Sequence, residues 1–179
     1  MSGNLENGFV LSDGAKSIAA ELIAAGVLNV PKQKRKRVDW ERLLVYEYIL
    51  RFYPETPHWL REEVGPMPEG YNNQLYNRTR RWADAIIRAE DEIIVIEGKM
   101  KAEPNVIGQV LNYKNLIPQT PMLAKYKNLP VRPRVITAMV TDQVKELIEN
   151  SGIEVEIFKP SNYEEWYEKV MVNGRKKQD

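Results

Sequence analysis

Residues Arg81 to Met100 read RWADAIIRAEDEIIVIEGKM, two apolar runs rich in isoleucine and valine on either side of an acidic stretch. The pattern predicts two antiparallel strands joined by a tight turn. Side chains alternate along a strand, so Ile93, Val95, Glu97 and Lys99 share one face of the second strand, and Trp82, Asp84 and Ile86 share one face of the first. Glu-Asp is a poor two-residue hairpin turn, which favours a longer loop from Ala89 to Glu92. That loop sets Asp84 directly opposite Glu97. A loop one residue shorter or longer shifts the register and turns one acid away.

Directly opposed residues of an antiparallel pair hold their Cβ atoms about 4.5 to 5.5 Å apart, and like charges there destabilise the sheet. A divalent cation, which takes oxygen ligands at about 2.0 to 2.6 Å, resolves the conflict. Lys99, one pleat further on, then faces the water such a cation holds, and the arrangement reads as a metal site. The competing reading puts both acids at frayed strand ends, with Lys99 merely neutralising them.

The rest of the composition narrows the chemistry. The 179-residue chain contains no cysteine and a single histidine, His58, which excludes disulfides, thiolate chemistry and multi-histidine metal sites. Catalysis in such a chain rests on carboxylates, lysine and an oxygen-bound metal. No apolar run approaches the roughly 20 residues of a membrane span, and the first residues lack the pattern of a secretory signal, so a cytoplasmic location without membrane association is expected. Net charge is only +1, yet basic residues cluster in PKQKRKR (31 to 37, with Lys34, Arg35, Lys36 and Arg37), RTRR (78 to 81) and GRKK (174 to 177). Such blocks suit phosphate backbones, and equally a solvated linker or tail.

Along the chain, Ser12 to Gly26 has the caps and spacing of a short helix, and the basic block follows it. Residues 1 to 37 are therefore expected to form an appendage of helix and basic linker ahead of a main domain over 38 to 179. In the main domain, Asp39 is a candidate cap for a helix with Trp40, Leu43, Leu44, Tyr48 and Leu50 inward and Pro54 after its end. HWLREEVG reads as a first strand and GPMPEGYNNQ as a loop before the two strands already described. Then comes a helix beginning at Pro104 and ending before Pro118, a strand in RVITAMV, a helix between Thr141 or Asp142 and Gly152, a strand in IEVEIFK, and a last short helix in NYEEWYEKVM. Helix, three strands, helix, strand, helix, strand, helix predicts an α/β sandwich around a mixed sheet.

Asp84 on one strand and Glu97-Gly98-Lys99 on the next, in this element order, resemble the PD-(D/E)XK nuclease superfamily. Downstream, GQVLNYK places Gln109 and Tyr113 at i and i+4 on one helix face, similar to the Gln-x-x-x-Tyr motif of its RecB-like branch. The resemblance covers about residues 38 to 158 and rests on short motifs. Ala83 stands where the family name has proline. It implies a restriction-endonuclease-like sandwich, a central mixed β-sheet flanked by helices, here with the N-terminal helical appendage.

The same resemblance implies an Mg²⁺- or Mn²⁺-dependent deoxyribonuclease. Asp84, Glu97, the Gly98 carbonyl and a glutamate on the first helix, Glu41 in preference to Glu47, would hold the metal. Lys99 would orient or deprotonate the attacking water, and Gln109 and Tyr113 would position that water or the scissile phosphate. Arg78, Arg80 and Arg81, with the basic linker, are the candidate DNA contacts. Nothing in the sequence reads bases, so the expected enzyme acts on DNA structure, on ends, or at sites chosen by protein partners or a homo-oligomer. A phage or mobile-element setting, in a host cytoplasm or virion, fits its small size. The alternative is an inactive nuclease-fold protein serving as a structural or DNA-binding part of a larger assembly.

Overall fold

The computed structural model describes residues 38 to 66 and 81 to 173. The expected N-terminal helix, Lys34, Arg35, Lys36, Arg37, Arg78, Arg80, most of the loop before Arg81 and the basic tail lie outside the described residues.

A helix, α1 (Trp40–Phe52), leads into β1 (His58–Val64), β2 (Arg81–Arg88) and β3 (Ile93–Lys101). Next come α2 (Val106–Leu116), two short 3-10 turns, β4 (Val131–Met139), α3 (Asp142–Asn150), β5 (Glu154–Ile157) and α4 (Tyr163–Trp166). The sheet is five-stranded in the order β1-β2-β3-β4-β5. β1, β2 and β3 are antiparallel neighbours, whereas β3, β4 and β5 run parallel. This is the α/β sandwich around a mixed sheet that the element order predicts. Pairing of Arg88 with Ile93 leaves residues 89 to 92 as the connecting loop, so the β2–β3 register is the one that loop sets.

The core has two layers because β3 is buried on both sides from Ile93 to Gly98. Ile94, Ile96 and Met100 face α1, packing with Leu44, Tyr48 and Ile49. Ile93 and Val95 face the other way, against Tyr113, Ile117 and Leu123. Further along that layer, Val106 and Val110 of α2 meet Val135, Ile148 and Ile153. Each large apolar side chain so buried contributes about 1.5 to 3 kcal/mol, which fixes β3 between the helices. Glu97 is the one charged residue in the buried stretch from Ile93 to Gly98.

Several boundaries differ from the sequence reading. On α1, Leu43 and Leu50 are exposed (36% and 52%), and Val45 and Ile49 are buried in their place. The reason lies across the interface: a Cβ at Gly98 would collide with Val45 Cγ2, so the missing side chain lets α1 settle onto β3 through Val45. Asp39 does cap α1, its Oδ1 accepting from Arg42 N at 3.2 Å. The regular part of α2 starts at Val106 rather than Pro104, because Val106 N and Ile107 N bond to the carbonyls of Glu103 and Pro104 in a tighter turn. β4 begins three residues early, at Val131, and takes in Pro133, which sits one position before β5 pairing starts at Arg134. α3 is capped by Thr141, with Gly152 in left-handed conformation (φ +74°) beyond its end. No helix among the described residues is long and apolar enough to cross a membrane.

Candidate active site

The site lies where β2 and β3 part. Their ladder ends at Ala85 paired with Ile96, one step short of Asp84 and Glu97. β2 nevertheless stays paired to β1 as far as Arg81, and β3 stays paired to β4 as far as Lys101. The sheet is forked at the two acids. In the fork Gly98 N donates to the Asp84 side chain, 2.9 Å to Oδ2, in place of a strand neighbour's carbonyl. Strand pairing thus resolves the like-charge conflict in part by separating the strands there.

β1 is distorted at the same level. Leu60 pairs with Ala85 and Glu62 with Ala83, and Arg61 between them, level with Asp84, has φ +51°. A residue with a Cβ pays about 1 to 2 kcal/mol for this left-handed conformation. Ala83 belongs to the α2-side core and Ala85 to the α1-side core, although regular alternation would put both on one face. The change of face falls at Asp84, level with Arg61, where the β1–β2 pairing skips a residue on each strand.

Glu97 is 2% exposed. Its Oε1 accepts from Lys99 Nζ at 2.6 Å and from Gln109 Nε2 at 2.7 Å. Its Oε2 is buried with no hydrogen-bond partner. Gln109 Nε2 also donates to Tyr113 OH at 2.6 Å, so the i, i+4 pair of α2 closes over the same carboxylate. Lys99 Nζ stands 3.5 Å from Glu41 Oε2. Glu41 arrives from one helical layer and Gln109 from the other, and the fork lets both reach the β3 pair. Glu47 is occupied elsewhere: it accepts from Ser161 N at 2.8 Å and Ser161 Oγ at 2.6 Å. His58 lies at the far end of β1, paired with Ile87, with Nδ1 2.8 Å from the Thr56 carbonyl.

Burial and then the Asp84 charge push the Glu97 carboxyl up to about 7, against the pull of Lys99. Burial also raises Asp84, offset in part by the Gly98 N–H bond, and raises Glu41, offset in part by Lys99. Burial works to lower the Lys99 ammonium, but Glu97, Glu41 and Asp84 outweigh it and hold it above its ordinary value. Lys99 is therefore a cation in a cluster with an excess of carboxylates.

Among the described residues no group of three or more His, Cys, Asp or Glu is close enough to hold a metal ion on its own. The pair Asp84 and Glu97, with an unpartnered buried oxygen on Glu97, nonetheless fits a hard divalent cation that keeps several of its waters. Two residues that the sequence reading did not assign to the site border it. Trp82 is 44% exposed two positions before Asp84, and Arg61 lies level with that acid. The tryptophan was visible as an aromatic on the Asp84 strand, whereas nothing local in LRE marks Arg61 for a left-handed backbone. Arg81 is exposed at the start of β2.

No protein-family model and no curated protein matches the chain. Similar solved structures include an EndoMS-dsDNA2 complex (19% identity, TM-score 0.47, covering 74% of this chain and 50% of that one). A repair endonuclease from Pyrococcus abyssi is 19% identical with a TM-score of 0.44, covering 75% of this chain and 50% of that one. EndoMS in apo form is 22% identical with a TM-score of 0.43, covering 69% and 48%. This chain spans about half the length of each.

Proposed function

We propose that the chain is a metal-dependent nuclease that hydrolyses phosphodiester bonds in DNA, with Asp84, Glu97 and Lys99 as its centre. One observation carries the reading: in a fork of the sheet, a carboxylate only 2% exposed is held by Lys99 and Gln109 through one oxygen and leaves the other unpartnered. An unsatisfied buried acceptor costs about 1 to 3 kcal/mol, a cost that a bound cation would remove. Mg²⁺ or Mn²⁺, held by Asp84, Glu97 and the Gly98 carbonyl with Glu41 alongside, would activate water and neutralise charge building on the phosphate.

The chain's own residues set the geometry. The Gly98 N–H orients Asp84, and Gln109 with Tyr113 fixes the Glu97 carboxylate. Lys99, cationic and tethered to Glu97, places a positive charge where the phosphate gains negative charge and orients the attacking water. Arg81, with Arg78, Arg80 and the linker residues Lys34 to Arg37, supplies phosphate contacts. The Gln109–Tyr113 pair favours the RecB-like branch. The absence of a base-reading motif in the sequence favours action on DNA structure, on ends or at partner-directed sites, in a phage or mobile-element setting.

The test is incubation of the purified protein with Mg²⁺ or Mn²⁺ on linear, circular, branched and single-stranded DNA and on matched RNA. Cleavage that Glu97→Ala or Lys99→Ala abolishes is the expected result. No cleavage of any substrate overturns the proposal in favour of a structural or DNA-binding role.

A further inference from the structure

Two grooves meet at one exposed tryptophan beside the site. The first, about 320 Å³, is bordered by Asp84 and Glu41 and also by Arg42, Arg61, Tyr46 and Leu60. The second, about 460 Å³, is bordered by Arg81, Gln109, Asn112 and Tyr113. Trp82 lines both and is 44% exposed, so it forms the ridge between them. Tyr46 (48%) and Leu60 (40%) leave further apolar surface open on the first side. Arginines stand on both sides of the ridge. Asp39, the other acid of the first groove, is engaged in capping α1 through Arg42 N.

The chemistry of this surface selects a substrate form. Every base has a π-face able to stack on an indole, but in a duplex those faces are already covered by neighbouring bases. A tryptophan ridge at the lip of the site therefore gains from an unstacked base and gains little from continuous duplex. The flanking phosphates of such a strand require cations before and after the stacked base, which Arg42 and Arg61 on one side and Arg81 on the other provide. Arg61 lines this groove from a left-handed backbone, φ +51°. Tryptophan and arginine also anchor protein partners, but here the ridge divides a groove lined by Asp84 and Glu41 from one lined by Gln109, which bonds Glu97, and that favours the strand to be cut.

We propose that Trp82 is a stacking platform for single-stranded nucleic acid, with the strand passing from the Arg42–Arg61 groove, beside Asp84, over Trp82 to the Arg81 groove, beside the Gln109 that holds Glu97. This rests on the nuclease reading in taking that strand as the substrate. The platform selects an unpaired segment and leaves the base sequence unread.

The experiment measures binding with cleavage suppressed. Full-length protein in EDTA at fixed salt is titrated into a labelled single strand and into its duplex of the same sequence, followed by fluorescence anisotropy. The single strand binds about 10-fold more tightly, Trp82→Ala removes about that factor and leaves duplex affinity within about 2-fold, and Trp82→Phe retains most of it. Arg61→Gly, which a left-handed backbone accepts without strain, weakens single-strand binding and lowers its salt dependence by about one counterion. Circular dichroism confirms that each variant is folded. Equal affinity of the wild type for both forms overturns the proposal, as does a Trp82→Ala variant whose preference is unchanged. A protein partner as the true occupant of the ridge predicts that second result. Cleavage of duplex without any single-strand preference defeats this inference alone, whereas strand preference without cleavage under Mg²⁺ or Mn²⁺ defeats the nuclease reading alone.

Discussion

Two buried charges sit almost side by side in this sheet and are treated in opposite ways. Arg134 of β4 is 4% exposed and pairs in register with Ile96, the residue before Glu97. It faces α1, where its Nε and Nη2 donate to Glu154 Oε2 at 2.9 and 2.8 Å, and Nη1 donates to Tyr48 OH at 3.0 Å and Tyr53 OH at 2.6 Å. Glu156 adds a carboxylate oxygen at 3.3 Å from Nη1 and accepts from Tyr48 OH at 2.6 Å. Every nitrogen of the guanidinium has a partner. Glu97, facing α2, shares one oxygen between two donors and leaves the other with none. The same strands that satisfy a buried cation completely thus hold a buried anion incompletely, among other carboxylates and beside a fork in the sheet. A fully satisfied buried network rigidifies the fold. One that stays open is where a substrate or cation would complete it.

The largest effect that can break this comparison is on cleavage. Lys99→Ala should lower the Mg²⁺-dependent cleavage rate by about 10³-fold or more, equivalent to about 4 kcal/mol of transition-state stabilisation. Arg134→Met should leave the rate per folded molecule within about 3-fold. Comparable losses in both variants would mean that the two clusters are not functionally distinct.

Next in size is the cost of opening the closed network. Arg134→Met should destabilise the fold by about 3 kcal/mol in urea denaturation, the lower end of the range for breaking a buried pair. That end applies because the Glu154 and Glu156 side chains are 37% and 35% exposed and regain water when the cation leaves. A change below about 1 kcal/mol would show that the network does not hold α1 to β4 and β5.

The open cluster should respond with the opposite sign. Glu97 titrates at about 7 in the folded chain, against 4.5 for an unperturbed glutamate. Between those values the folded state carries a proton that the unfolded state lacks, so its contribution to stability falls as pH rises from about 4.5 through 7 and then levels off. In EDTA, Glu97→Gln should be more stable than wild type by about 2 kcal/mol at pH 8 and should lose that advantage near pH 4.5, since the amide has no proton to gain. Thermal melts of both proteins across this range check it. A Glu97→Gln variant less stable than wild type at pH 8 would mean that the Lys99 pair outweighs the cost of burial.

Much of the open cluster is readable locally, and almost none of the closed one is. The register that brings Asp84 and Glu97 level follows from loop length, and the approach of Gln109 and Tyr113 to one point follows from helical spacing, but the alternation that would put Asp84 on one face with Ile86 breaks at Asp84, between Ala83 and Ala85. Arg134 looks like one more charge in a strand, because its partner Tyr48 is 86 residues away and only the tertiary fold unites them. The inward face of α1 was misplaced for the same kind of reason. Leu43 and Leu50 are as apolar as Val45 and Ile49, and the space at Gly98 that admits Val45 belongs to another element. Arg61 had no local signal either, since its left-handed backbone coincides with a break in pairing to β2 that only the assembled sheet shows. The basic blocks at 31 to 37, 78 to 80 and 174 to 177 fall outside the described residues.

The smallest expected effect separates the two glutamates of α1. Glu47 accepts from both the backbone and the hydroxyl of Ser161, which ties α1 to the segment leading into α4, whereas Glu41 is partly buried and meets Lys99 across the fork. Charge-assisted bonds of this kind at an exposed site are worth about 1 kcal/mol together. Glu47→Ala should therefore lower stability by about that amount and leave cleavage unchanged. Glu41→Ala relieves a carboxylate whose pKa burial raises, so it should leave stability within about 0.5 kcal/mol while slowing cleavage about 10-fold through the loss of a charge beside Lys99. Parallel melts and cleavage rates of the two variants decide it. If Glu47→Ala slows cleavage and Glu41→Ala does not, the acid acting with Lys99 has been placed on the wrong turn of the helix.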